Sequence, residues 1–363
     1  MFNEHVSWIL KVILAIKLDM AKSSSLRDVA QAAGVSLGTA SRALNNKSNV
    51  LPSTRALVLK AAADIGYKLQ IRVPTTVASK ISTIGVVVKR DPGELPRLDP
   101  FNYAVLCGIE DECERLGLNL MYASLPVNEF SQATTWSPLI ENEDIDGLVI
   151  VGVAFHDPAL ASRIPRQIPL VLVDAFAAGI ECDTVNTDNL HGAYEAVKYL
   201  IDNGHRRIGL IGSSSTGYDH PSISERRNGY LKALAEHGIN GDYVENSLLQ
   251  AESAFRATLS LLERAPEITA IFACNDDVAI SAMRALDEIG KRVPEDVSVI
   301  GFDDKAVELT PPVALTTVKV EKELMGALAV RQLYERAMYL DRPPITTIIG
   351  TRLVVRDSVA KVR

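Results

Sequence analysis

Arg42 ends the run Ser36-Leu37-Gly38-Thr39-Ala40-Ser41-Arg42, where one cation follows small hydroxylated side chains. A guanidinium fork matches O6 and N7 of guanine, and Ser or Thr hydroxyls suit phosphate oxygens, so this run has the chemistry of duplex reading. A second polar set follows apolar runs further on: Asn275 and Asp276 after Ile271–Cys274, and Asp303 after Val299–Phe302. Gly34-Val35-Ser36-Leu37-Gly38 spells GxSxG, but it lies in a turn between two helical patterns rather than after a strand and so is no nucleophile elbow, and there is no GK[ST] phosphate loop or HExxH pair. Gly212-Ser213-Ser214-Ser215-Thr216-Gly217 follows an apolar run and reads as a strand-to-helix loop rather than a nucleophile or phosphate site. The six histidines are dispersed; His205 reads as a packed helix end, and His220, shortly before Arg226, as a lining position. Cys107, Cys113, Cys182 and Cys274 have no zinc spacing and read as buried thiols. No enzyme activity, metal or cofactor is expected.

The elements that must carry these residues emerge from charge and periodicity. The 363 residues have a net charge of −7, but residues 22–68 hold seven Lys/Arg against two acids. With residues 1–21 neutral, that block is +5 and residues 69–363 carry −12, the outline of a basic DNA-reading head on an acidic body. Residues 1–19 contain Trp8–Ile16, apolar but split by Lys11, with no basic upstream flank. A secretory signal fits poorly, a short amphipathic helix remains open, and the favoured reading takes Met20 as the natural start. No run is long enough to span a bilayer.

Ser25-Leu26-Arg27-Asp28 fits a capping box, and Leu26, Val29, Ala30 and Ala33 recur at helical spacing. Gly34 stops that helix, Val35 plugs the corner, and Ser36 caps a second helix from Leu37 to about Leu44. A polar loop, Asn45–Asn49, leads to a third helix opened by Pro52-Ser53-Thr54, with Leu57, Val58, Ala61, Ala62 and Ile65 as its packed stripe and Gly66 as its end. Helix, glycine turn and helix together make the helix-turn-helix pattern.

Ser25–Ser36, Thr39, Ser41–Asn45, Thr54-Arg55 and Gly66-Tyr67 closely resemble the head of the lac-repressor (LacI/GalR) family of bacterial transcription regulators. The resemblance runs over about residues 25–358, through Val299–Asp304, Leu315–Val318 and Leu353–Ser358. It implies that Leu37, Gly38 and Arg42 meet base edges, that Ser36, Thr39, Ser41 and Asn45 meet phosphates, and that Asn49 and Arg55 make further groove or backbone contacts. Gly38 gives up one side-chain base contact or lets the backbone approach. It also implies a linker that folds on DNA and wedges a Leu pair into the minor groove. Residues 68–80 depart from that pattern: they are rich in β-branched residues, and Pro74 would cost a helix about 3 kcal/mol. Thr76 stands where the wedging Leu is expected, leaving open an extended linker or intercalation by Val73.

In the body, seven apolar runs (83–88, 119–124, 147–152, 169–174, 207–212, 270–275 and 297–302) alternate with helical patterns. They imply parallel sheets covered on both faces. The expected fold is an α-helical helix-turn-helix head plus an α/β body of two doubly wound parallel-sheet subdomains, periplasmic-binding-protein-like by resemblance. The expected domains are 1–19 as an extension, 20–67 as the DNA-binding head, 68–80 as the hinge linker and 81–363 as the effector-binding and dimerisation body. By resemblance Arg226, Asn275 and Asp303 bind effector in the cleft, with Phe101 and Asn102 at first-loop positions. Asp276 and Asp304 read as helix caps. Trp136, Phe155, Phe176 and Tyr218 fit either packing or stacking on a sugar face. Two departures, Val313-Ala314 and Lys319-Val320-Glu321, fall in or near a crossover. The expected function is a cytoplasmic, homodimeric, ligand-responsive repressor of carbohydrate-related genes on a pseudo-palindromic operator. Purine- or nucleoside-responsive and corepressor-dependent forms are the alternatives, and a solute-binding protein a more distant one.

Overall fold

In the computed structural model, the structure describes residues 26–44, 50–65, 81–91, 99–142, 144–156, 163–165, 168–214, 220–240, 243–305, 313–339 and 341–362. The expectations for residues 1–19, Ser25, Asn45, Asn49, Gly66, Tyr67, the hinge 68–80 and Tyr218 lie outside them. The chain divides into two units, Met1–Ala78 and Ser79–Arg363.

The first unit is built from α1 (Leu26–Ala32), α2 (Leu37–Leu44) and α3 (Pro52–Asp64). Gly34 takes φ 64°, and the chain after it turns back so that the Val35 amide donates to the Ala30 carbonyl (3.0 Å). Ser36 then caps α2, its Oγ accepting the Thr39 amide at 3.1 Å. Val29, Ala30, Ala33, Ala40, Ala43, Val50, Val58 and Ala62 form the core. One expectation fails here: Leu57 is 52% exposed. The buried stripe of α3 runs Val58–Ala62–Ile65, and a residue one step earlier is rotated about 100° away from it.

The second unit holds two six-stranded sheets. The first has β1 (Thr83–Arg90), β2 (Asn119–Pro126), β3 (Gly147–Val151), β5 (Leu170–Val173), β7 (Asp183–Thr187) and β13 (Thr346–Ile349), ordered β13-β7-β5-β3-β1-β2 and wholly parallel. Beside it lies a two-stranded sheet of β4 (Ala154–Phe155) and β6 (Phe176–Ala177). The second large sheet has β8 (Ile208–Ser213), β9 (Val244–Asn246), β10 (Ala270–Ala273), β11 (Ser298–Asp303), β12 (Thr316–Lys319) and β14 (Arg352–Val354). Its order is β14-β12-β11-β10-β8-β9, and only β14 is antiparallel. Both sheets thus repeat one plan, with the second strand outside the first.

Helices α4 (Pro100–Leu116), α5 (Asn189–Asp202), α6 (Pro221–Glu236), α7 (Ala251–Arg264), α8 (Asp276–Glu288) and α9 (Lys322–Met338) cover the sheets. The chain passes between the two lobes three times, from β7 to α5, from β12 to α9 and from β13 to β14. Lys319-Val320-Glu321 is the second crossover, closed by a 3.1 Å Lys319–Glu321 ion pair. The α4–α9 contact is backbone to backbone: a Cβ on Gly108 would lie 1.9 Å from the Glu323 carbonyl oxygen, and one on Gly326 2.1 Å from that of Val105.

Candidate functional site

Two surfaces carry the polar residues singled out above. On α2 the buried side is Ala40 and Ala43, which turns Ser36, Leu37, Gly38 and Arg42 to the exterior, with Thr39 and Ser41 half-buried. Leu37 is 48% exposed, as an apolar side chain kept for a partner would be. The Arg42 guanidinium sits over Gly38, both Nη atoms 3.9 Å from where a Cβ would be, so the absent side chain leaves the fork uncrowded. Ser36 Oγ and Thr39 Oγ1 are 2.8 Å apart. One of the two hydroxyls therefore spends its proton on the other and leaves the second free to donate outward. Arg55 lies half-buried on α3.

The other surface is a cleft of about 740 Å³ in the second unit. It gathers the carboxyl ends of strands from both sheets: Lys89 in the last residues of β1 and Asp91 after it, Gly152 after β3, Asp174 after β5, Asn275 after β10 and Asp303 ending β11. Arg226, from the first turns of α6, is 4% exposed and is the hub. Its Nη1 donates to the Cys274 carbonyl (2.6 Å), its Nε to Asn189 Oδ1 (2.9 Å), and its Nη2 lies 2.9 Å from Asp303 Oδ1. The guanidinium carbon stands 3.8 Å over the Phe302 ring. Asn189 opens α5 and donates to the Thr187 carbonyl (3.1 Å), so the hub is tied to the first crossover. Asp303 adopts φ 101°, a strained conformation for a residue with a side chain, held because Lys322 Nζ donates to the Asp303 and Asp304 carbonyls. Lys322 opens α9 and so ties the β11 end to the second crossover.

Burial pushes the Asp303 carboxyl above the usual range against the pull of Arg226 and Lys322. Burial likewise pushes Asp276 up to about 7, opposed by hydrogen bonds from the Thr317 hydroxyl (2.5 Å) and the Lys305 amide (2.6 Å). Desolvation works downward on Lys89, yet Asp91, Asp99 and Asp174 hold it above its ordinary value.

All five predicted effector residues line the cleft. Asn102 is 2% exposed, with its Nδ2 on the Asp99 carboxylate, and Phe101 lies 5.8 Å from Lys322 Nζ. The capping assignments need correction. Asn275, not Asp276, caps α8, its Oδ1 accepting the Val278 amide at 2.9 Å. Asp276, one residue further on, is drawn instead to the β11–β12 side by Thr317 and Lys305. Asp304 pairs with Arg356 at 2.6 Å. Trp136 and Phe155 pack edge to face at 6.0 Å, with Arg163 over Trp136, and Phe176 stacks near His156; none of the three lines the cleft. His205 packs as expected, its ring nitrogens each 3.0 Å from Thr269 Oγ1 and the Ala360 carbonyl. The sequence reading missed Lys89, Asp91, Asp174, Lys305 and Lys322, although Lys89 is near the end of a strand, Asp91 and Asp174 directly follow strands, and the strand-end rule points at all three. Among the described residues no cluster of His, Cys, Asp and Glu fits a metal ion, and no helix is long and apolar enough to cross a membrane.

Comparison with known proteins finds relatives along nearly the whole chain. Residues 25–70 match the family described as bacterial regulatory proteins, lacI family, and residues 197–359 match the periplasmic binding protein-like domain. The chain is 31% identical to the HTH-type transcriptional repressor CytR of Escherichia coli (strain K12), over 93% of this chain and 96% of that protein. It is 29% identical to the HTH-type transcriptional repressor PurR of Pasteurella multocida (strain Pm70), over 93% and 98%. Among solved structures, the complex of the transcriptional regulator CelR with cellobiose is similar with a TM-score of 0.66 and 28% identity, covering 92% of this chain and 99% of that one.

Proposed function

The chain belongs to the lacI family of bacterial regulatory proteins, and from that premise we propose that it is a homodimeric, cytoplasmic repressor of carbohydrate-related genes, switched by a small polyhydroxylated effector in the cleft. Its relatives are transcription regulators rather than enzymes. Two heads, one per protomer, would lie about 34–36 Å or a multiple apart on a pseudo-palindrome. In each head Arg42 reads a guanine and Leu37 a thymine methyl. Ser36, Thr39, Ser41 and Asn45 hold phosphates, and Asn49 and Arg55 add groove or backbone contacts. The unit boundaries support residues 20–67 as the reading head, 68–80 as the linker and 81–363 as the effector and dimerisation body.

The observation that carries the effector reading is the Arg226–Asp303 pair, in a cleft between strand ends, tied to two crossovers at once. A ligand that accepts hydrogen bonds from Arg226 and Asn275 and donates to Asp303 acts on the groups that fix the lobes' hinge, and so biases the body between two states. The cellobiose held by a relative favours a sugar. Phe101, a flat ring in the cleft, favours the second reading, a purine or nucleoside.

Isothermal titration with a panel of sugars and nucleosides tests the site. One class is expected to bind, and Arg226→Ala to weaken it by about 100-fold, the scale of losing one partner of a buried charge pair. Undiminished binding by Arg226→Ala would refute the assignment.

A further inference from the structure

The groups assigned to the effector leave another part of the cleft unexplained. His220 is the N-cap of α6, on the C-terminal lobe, and only 9% exposed. Its Nδ1 accepts the Ser222 amide hydrogen (3.4 Å) and lies 2.8 Å from the Ser222 hydroxyl. A ring nitrogen that accepts from an amide carries no proton, so the neutral imidazole keeps its hydrogen on Nε2. Burial favours that neutral form and moves the ring below its usual value, with Lys89, Arg226 and His156 acting the same way and Asp174 against. Nε2 nonetheless has no hydrogen-bond partner among the described residues, although His220 lines the cleft. A buried donor left unpaired is costly, and a ligand oxygen removes that cost.

The opposite lobe supplies the complement. Asn102 has its Nδ2 committed to Asp99, and its buried Oδ1 has no partner among the described residues. Asp174, at the end of β5, lines the same cleft with its backbone at φ 43°. Asp174 and Lys89, both on the N-terminal lobe, line the same cleft as His220 and are among the charges that act on it.

We propose that His220 determines ligand specificity by donating its Nε2 hydrogen to one oxygen of a vicinal diol whose neighbouring hydroxyl donates to Asn102 Oδ1 or Asp174, bridging the lobes. This rests on the effector reading above and names the chemistry that the site selects. A free sugar and the ribose of a nucleoside both present such a diol; a free nucleobase does not.

The ring can be divided by substitution. Asn places an oxygen where Nδ1 stood and is itself a good N-cap, but does not reach the Nε2 position. Gln reaches that position and gives up the cap. Long-range proton–nitrogen spectra of the full chain, with His220→Asn identifying the signal, are expected to show the Nε2–H tautomer; an Nδ1–H tautomer would overturn the proposal. Titrations with cellobiose, adenosine and adenine separate the sources of the diol. For whichever diol binds, His220→Asn is expected to lose roughly 10-fold in affinity and His220→Gln to stay within about 3-fold, on the scale of one hydrogen bond. Adenine binding is expected to be indifferent to either change. Unchanged diol affinity in His220→Asn, with affinity lost in Arg226→Ala, would overturn the role of His220 alone. Unchanged affinity in both variants would overturn the cleft reading with it.

Discussion

Arg226 shows how much a single side chain carries here. One guanidinium donates to a backbone carbonyl and to an amide oxygen at a crossover, and forms an ion pair with a carboxylate on a strained residue. The sequence could nominate it through the family resemblance, which carries an arginine near the start of this helix into the cleft. It could not reveal Asn189 or Lys322, whose roles depend on which chain segments cross between the lobes. Glu112 is a second such residue, outside the cleft. It is 4% exposed and accepts from Arg115 (2.5 and 3.1 Å) on its own helix and Arg331 (2.8 and 3.0 Å) on α9. Hydrogen bonds from Arg115, then from Arg331, bring its carboxyl down to about 2. A carboxyl depressed on folding stabilises fully above its unfolded value, and that contribution fades as pH falls through the carboxylate range toward the folded value. Both arginines are about half exposed, so Glu112→Gln is expected to cost about 1–2 kcal/mol near neutral pH. Urea midpoints should converge between wild type and variant as pH falls from about 5 to about 2; a gap constant with pH would contradict this.

At the scale of elements, legibility followed burial. The seven apolar runs all became strands, six of them because a parallel strand buried on both faces leaves a continuous signal, as in Gly147–Val151, while the seventh, Asn119–Pro126, is an apolar edge strand that is mostly half-buried. Three other strands left no such run. Asp183–Thr187 alternates buried and half-buried, Thr346–Ile349 is an edge, and Val244–Asn246 is three residues long. Leu57 misled for a related reason: α3 has apolar residues all round, so composition alone does not choose its inner face. Nor does sequence announce the α4–α9 seam, where Gly108 and Gly326 matter through what lies opposite. Gly108→Ala would drive a Cβ into the Glu323 carbonyl, and neither backbone can yield without separating the helices. A loss of about 3 kcal/mol is expected, read as a lowered urea midpoint with an unchanged slope. A variant as stable as wild type would show that the helices do not approach this closely.

At the scale of the molecule, the division of charge was the earliest sign of the division of labour. The +5 block at residues 22–68 contains the described helix-turn-helix helices, and the −12 remainder contains the two-lobed body. An acidic body limits indiscriminate attachment to nucleic acid, while head cations that meet phosphates make binding fall steeply with salt. The central claim is that one chain reads DNA through Arg42 and answers to a ligand through Arg226. Fluorescence anisotropy of the full chain against DNA from its own promoter region, at two salt concentrations and with or without the ligand found by titration, tests both halves together. The account predicts salt-sensitive binding to promoter over scrambled DNA, weakened roughly 5- to 150-fold in Arg42→Ala and shifted by ligand in wild type but not in Arg226→Ala. Equal binding to promoter and scrambled DNA, indifferent to Arg42→Ala and to ligand, would contradict it.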